Sequence, residues 1–263
     1  VTLVKGPDGN TIESECHVPA PAGETASFNV PPQPFTPLGP VASLPCAPNE
    51  IKLVFEDALR CSSVAADGSD FIVTGPSAVV VSSAATDCDA NGLTKTITLQ
   101  LKDRILQDGD YQVQLKIGKD GNTLQNECWQ ETPAGAVQPF NIAPQPKVLL
   151  GGTAPVGCSP ASIKIGLSVP VRCSSIAPDG SDFTISGPKP VQITKATGIC
   201  NSNNLADSVE LQLSTAILNA GDYVIALTTG KDGNTLQSEC WQPAGVGQRS
   251  DFRTADTVNV DFS

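Results

Sequence analysis

The segment GKDGNTLQNECWQ at residues 118–130 returns as GKDGNTLQSECWQ at 230–242, a displacement of 112 residues. A looser copy, GPDGNTIESECHV, occupies 6–18 at the same displacement. Self-similarity at one fixed period marks a tandem array, so the fold must close within about 110 residues and repeat along the chain. The same shift carries Cys46, Cys61, Cys88 and Cys128 onto Cys158, Cys173, Cys200 and Cys240. It also carries RCSSVAADGSDF (60–71) onto RCSSIAPDGSDF (172–183), and relates Phe28, Phe140 and Phe252. Val1 corresponds to Val113, and Cys16 to Cys128. The chain therefore reads as the C-terminal part of an incomplete repeat (1–34) followed by two repeats (35–146 and 147–263). The Pro-rich joints VPPQPFTP (30–37) and IAPQPK (142–147) hold the boundaries extended. A start at Val1, without Met, reads as a processed chain or an internal piece of a longer one.

Within a repeat the apolar residues alternate, which is the strand period. Ile51, Leu53 and Phe55 alternate with Lys52 and Val54, and their counterparts are Ile163, Ile165 and Leu167. Phe71 and Val73 precede a Gly75-Pro76 turn, after which Val79 and Val81 alternate again. Ile97, Leu99 and Leu101 form a further row, and residues 136–142 make a closing strand. LQDGDYQVQL (106–115) and LNAGDYVIAL (218–227) resemble the turn and strand F of immunoglobulin-like domains, where a Tyr anchors the preceding corner. Six or seven strands in each repeat, with 23 Gly and 22 Pro over the chain, predict an all-β fold of tandem Ig-like β-sandwich domains joined by Pro-rich linkers.

Eight cysteines fall into two sets of four, leaving Cys16 without a partner in the chain. If Gly75-Pro76 joins two antiparallel strands, Cys61 and Cys88 stand at similar distances from the turn and meet. Cys46 and Cys128 then remain for each other, and the second repeat follows with Cys173–Cys200 and Cys158–Cys240. By loop entropy these closures contribute roughly 3.6 and 4.6 kcal/mol. Other connectivities stay open from sequence. Disulfides place the chain outside the reducing cytosol.

A net charge of -11 with scattered Lys and Arg argues against nucleic acid, which needs a basic stripe. No apolar run reaches the roughly 18 residues of a membrane span. Asp67, Asp70, Asp179 and Asp182 in the two DGSD segments are candidate Ca²⁺ ligands, although the D-x-D-x-D-G spacing is missing. The competing reading is an Asx turn before a strand. KDGNT (119–123 and 231–235) divides the same way between a tight turn and a metal site shared by neighbouring domains. Trp129 and Trp241 follow the last Cys of each repeat, with His17 in that place in the fragment. They are candidates for stacking on a sugar or for packing at the joint between domains. The only His lies in the least similar copy, and no H-E-x-x-H, C-x-x-C or G-x-S-x-G occurs, so no catalytic residue is assigned and no enzyme is expected.

The series CSSxAxDGSDF, a Cys after the next hairpin, GDY, GKDGNTL and a closing Cys resembles the Ig-like repeats of large Bacteroidota surface proteins. Those are type 9-secreted adhesins, some tied to gliding motility. The resemblance covers both repeats and the fragment, and implies an extracellular, cell-surface chain whose repeats form a non-catalytic adhesion stalk. Its expected partners are neighbouring repeats or identical subunits, and surface glycans. Two alternatives stand beside it. One is a filament subunit completed by β-strand exchange, with Cys16 cross-linking subunits. The other is a carbohydrate-binding module built on Trp129 and Trp241.

Overall fold

The structure, a computed structural model, describes residues 1–255; the last residues of the 147–263 repeat lie outside the described residues. It is all-β: thirteen strands and two single 3-10 turns, with no α-helix among the described residues. The chain divides into two compact units, Val1–Phe35 and Thr36–Ser263.

In the larger unit the first repeat supplies β1 (Glu50–Arg60), β2 (Phe71–Thr74), β3 (Val81–Thr86), β4 (Leu93–Leu101), β5 (Gly109–Leu115) and β6 (Val137–Ile142). The second supplies β7 (Leu150–Thr153), β8 (Ser162–Arg172), β9 (Phe183–Ser186), β10 (Ile193–Cys200), β11 (Leu205–Leu213), β12 (Gly221–Leu227) and β13 (Arg249–Thr254). All pairings are antiparallel. The sheets are β1-β4-β3 and β2-β5-β6 in the first repeat, and β10-β11-β8-β7 and β13-β12-β9 in the second.

The alternation seen in the sequence is the cause of the packing. Ile51, Leu53 and Phe55 of β1 point inward while Lys52, Val54 and Glu56 face outward. They meet Val113 and Leu115 of β5 and Phe71 and Val73 of β2 in one core enclosed by both sheets. A second core is built by the 112-shifted residues, including Ile163, Ile165, Val209, Ile225 and Leu227. Tyr111 stacks on Phe140 across the β5–β6 pair at 5.6 Å, and Tyr223 on Phe252 at 5.4 Å. The Tyr111 hydroxyl donates to the Gln107 carbonyl at 3.0 Å, tying the corner before β5.

The expected hairpin at Gly75-Pro76 is corrected. β2 pairs with β5 and β3 with β4, so the turn carries the chain from one sheet to the other; only a single bridge, Val73–Val79, spans it. The two strands alternate inward toward the same core from opposite sides, which burial rewards more than pairing with each other.

The unit Val1–Phe35 contains isolated bridges, Thr2–Thr25 and Glu13–Pro19, and no strand. Thr2–Thr25 is the 112-shifted image of the Gln114–Val137 pair between β5 and β6. Val1, Ile12 and Phe28 are 81%, 71% and 70% exposed, whereas the corresponding Val113 and Leu124 are fully buried and Phe140 packs against the core.

Candidate functional site

The two recurring motifs, DGSDF and GKDGNT, dock against one another. Asp67 Oδ1 accepts the Ser69 N–H at 3.0 Å, an Asx turn, while its Oδ2 pairs with Lys119 Nζ at 2.8 Å. Ser69 Oγ accepts the Lys119 N–H at 2.9 Å. Asp70, fully buried, accepts the Ala65 N–H at 2.7 Å. Its other oxygen lies so close to Gly118 that no side chain fits there, which is why that motif opens with Gly. The second repeat reproduces the set with Asp179, Ser181, Asp182, Lys231 and Gly230. Ser63 Oγ ties in the third landmark, CSS, by accepting the Gln125 N–H at 2.9 Å. These segments recur together because each holds the next.

Electrostatics follow from that geometry. Burial pushes Asp70 and Asp182 up to about 6, against the Ala65 and Ala177 N–H groups and with the repulsion of Asp120 and Asp232. Asp67 is held well below the usual carboxylate range, first by the Lys119 hydrogen bond and then by Ser69. Asp179 is held at about 2, first by Ser181 and then by Lys231. Among the described residues no cluster of three or more His, Cys, Asp or Glu converges as a cation site would require.

The tryptophans mark the ends of the repeats. Trp129 and Trp241 sit at φ of 63° and 61°, the left-handed region that bulky residues seldom adopt. Each closes a turn by donating its N–H to the carbonyl of Asn126 or Ser238. Arg60, at the end of β1, stacks over Trp129 with its guanidinium carbon 3.7 Å from the ring centre. Arg172 does the same to Trp241 at 3.9 Å, but Trp241 also receives Arg104 of the first repeat at 4.7 Å. Burial first, and then the Arg104 charge, lower the proton affinity of Arg172. Arg104 also donates to the Ala47 carbonyl at 3.1 Å, and Gln242 donates to the Leu106 carbonyl. In the fragment, His17 is exposed and lies 3.7 Å from Glu13.

A disulfide crosses the same junction: Cys46 is joined to Cys240, with Cα atoms 5.3 Å apart. Cys61–Cys88 and Cys173–Cys200 are joined within their repeats. Cys16, Cys128 and Cys158 are free and exposed. The expected pairs Cys46–Cys128 and Cys158–Cys240 are therefore corrected. Cys46 precedes the first residue of β1, while Cys128 lies beside its last, where Arg60 donates to the Glu127 carbonyl. An 11-residue strand separates the two by roughly 30 Å, far beyond disulfide reach. Each repeat thus carries a leading cysteine at one pole and a trailing cysteine at the other, and the leading pole of the first repeat meets the trailing pole of the second. Cys61 and Cys88 meet because β1 and β3, on the two edges of β4, both run out toward its Leu93 end, with no hairpin involved.

Arg104 and Gln242 are functional residues that sequence reasoning does not single out. The signal for Arg104 is a break in the period, since Ala216 stands 112 residues later.

No protein-family description matches the chain, and no curated protein does. Among solved structures, similarity is found to a bacterial S-layer protein, SbsC. Its N-terminal part aligns at 11% identity and a TM-score of 0.31 over 84% of this chain and 44% of that one. Domains 1–6 of the same surface layer protein align at 10% identity and 0.27, over 83% and 24%. Its 31–844 segment aligns at 10% identity and 0.30, over 83% and 32%. The chain spans less than half the length of each. Likeness this distant carries no inference about function.

Proposed function

We propose that the chain belongs to an extracellular structural array, in which Ig-like sandwich repeats follow one another as a non-catalytic stalk in surface adhesion. The observation that carries this reading is the Cys46–Cys240 bridge, which joins consecutive repeats pole to pole beside the Arg104–Trp241–Arg172 stack. A tension applied along the chain enters at Cys46 and leaves at Cys240, so the 194-residue interval between them is bypassed by a covalent bond. Such a bond suits a part that bears load. The Tyr111 corner and the two facing sheets support the Ig-like description, and three disulfides support an oxidising location outside the cell. Adhesion, with or without a role in gliding, follows the surface proteins the sequence resembles. Labelling intact source cells with a membrane-impermeant amine reagent tests the location. Labelling before lysis is expected; labelling only after lysis contradicts it.

A second reading, a filament subunit completed by strand exchange, accounts as well as the array for the exposed apolar row Val1, Ile12 and Phe28 in the first unit, whose counterparts are packed against a core. The mass of the native polypeptide, reduced and denatured, separates the two. A mass far above 27.2 kDa favours the longer array and a mass near it the filament. The carbohydrate-binding reading keeps only Trp129, because two guanidinium groups, of Arg104 and Arg172, crowd the Trp241 ring where Trp129 has one.

A further inference from the structure

The observed junction follows a rule: the leading cysteine of one repeat bonds to the trailing cysteine of the next. Applied to the remaining pair, it leaves Cys158 as a leading cysteine and Cys128 as a trailing cysteine, each exposed and free. Their surroundings match those of the bonded pair with the neighbour removed. On the trailing face, Cys240, Trp241 and Gln242 are half-buried by the first repeat, whereas Cys128, Trp129 and Gln130 are all exposed, Trp129 to 62%. On the leading face, Ala47 is buried and Cys46 half-buried, whereas Ser159 and Cys158 are exposed. Leu106, which meets Gln242, is 41% exposed, and its counterpart Leu218 is 66% exposed. Both faces therefore present a more exposed large apolar group and a thiol where the internal junction presents a less exposed group and a disulfide.

We propose that Cys128 and Cys158 are the open halves of this same inter-repeat disulfide. Cys128 takes the leading cysteine of a preceding repeat of this kind, and Cys158 the trailing cysteine of a following one. The proposal rests on the array reading above and deepens it, turning one bridge into a continuous covalent ladder. For each new bridge one Sγ–Sγ bond forms and two S–H bonds break. Two electrons and two protons pass to the disulfide of a thiol oxidoreductase, which becomes a dithiol. Exposure of both thiols gives the mixed-disulfide intermediate room to form. Ala216 replaces Arg104 on the open leading face, so a following repeat meets the bridge without the second guanidinium.

The test is a peptide map of the protein isolated from its source, with thiols alkylated before denaturation and no reductant. Expected is the loss of alkylated Cys128 and Cys158, each recovered instead in a disulfide-linked peptide. The partner of Cys158 comes from an ECW-type segment, and that of Cys128 from the loop ahead of a β1-type strand. Partner peptides outside these 263 residues identify further repeats of one polypeptide. A Cys158–Cys128 link in a species of twice the chain mass identifies a second copy; either result supports the proposal. Alkylated Cys128 and Cys158 beside an intact Cys46–Cys240 link overturn it while leaving the array reading in place. Cys46–Cys128 together with Cys158–Cys240 overturns it and also removes the inter-repeat bridge on which the load-bearing reading rests.

Discussion

Replacing Cys46 and Cys240 by Ser changes how far the chain can be pulled, and the size of that change follows from the bridge itself. In the native protein the two ends of a 194-residue interval are held 5.3 Å apart. Stretching from the termini cannot lengthen that interval, whatever unfolds inside it. In the double variant the interval joins the load path. Two loops of 27 residues stay clipped by Cys61–Cys88 and Cys173–Cys200, so about 140 residues become extendable. At roughly 3.4 Å per residue this releases about 480 Å of contour length as the two repeats open. Single-molecule force spectroscopy without reductant reads it directly. The native chain shows no release from this interval, the variant shows about 480 Å, and the native chain in dithiothreitol shows more, because the inner loops open too. Two unfolding steps summing to about 480 Å in the native, oxidised chain would refute the reasoning.

The pH dependence of stability has a worked sign. Asp70 and Asp182 have folded values near 6 against an ordinary 3.8, so the folded state binds more protons between those values. Their contribution is full below the unfolded value and is lost as pH rises through about 6. Asp67 and Asp179, held low, act in the opposite sense, stabilising above 3.8 and ceasing to do so as pH falls through their folded values. Tm therefore rises from about pH 7 to about 5 and falls below about pH 3.5, and Asp70→Asn with Asp182→Asn flattens the upper limb; a native Tm that falls from about pH 7 to about 5 would contradict this. Tyr111→Phe removes hydroxyl contacts to Ser77 and Gln107 at 2.8 and 3.0 Å and costs about 1–2 kcal/mol in urea titration. Tyr223→Phe costs less, because that hydroxyl has a single 3.4 Å contact to Asn219 and Lys189 replaces the serine. Trp241→Ala removes two guanidinium contacts and Trp129→Ala one, at roughly 0.5–1 kcal/mol each. Only the former is expected to speed reduction of Cys46–Cys240 by dithiothreitol.

Much of the architecture is legible in the residues because burial and period are local signals. The inward row Ile51, Leu53 and Phe55 declares β1, and Gly109-Asp110-Tyr111 opens β5 where the sequence places that strand. Sheet partnership is less legible. The Gly75-Pro76 turn looks the same in sequence whether it folds a hairpin or crosses between sheets, and the distant strands β4 and β5 decide between them. The recurring DGSD and KDGNT segments read separately as turns or ligands, whereas hydrogen bonds between residues 50 apart make them one interlocked unit. Pairing by elimination within a repeat misassigns Cys46 because it treats each repeat as closed. The cysteines stand at opposite poles of an 11-residue strand, a distance that becomes visible only when β1 is laid out. The junction marks the sequence at Arg104 and Ala47, places where the repeat does not repeat.

Whether consecutive repeats are covalently joined turns on the partner of Cys46, and one measurement reads it. Trypsin digestion of the 263-residue chain, alkylated and unreduced, places Cys46 in residues 6–52, Cys128 in 120–147, Cys158 in 148–164 and Cys240 in 232–249. A linked species of 6–52 with 232–249 is predicted, with the alkyl label on Cys16 and the bond at Cys46 when 6–52 is sequenced by fragmentation, and its loss on reduction. Recovery of 6–52 linked to 120–147, with 148–164 linked to 232–249, would contradict a bridge between the repeats.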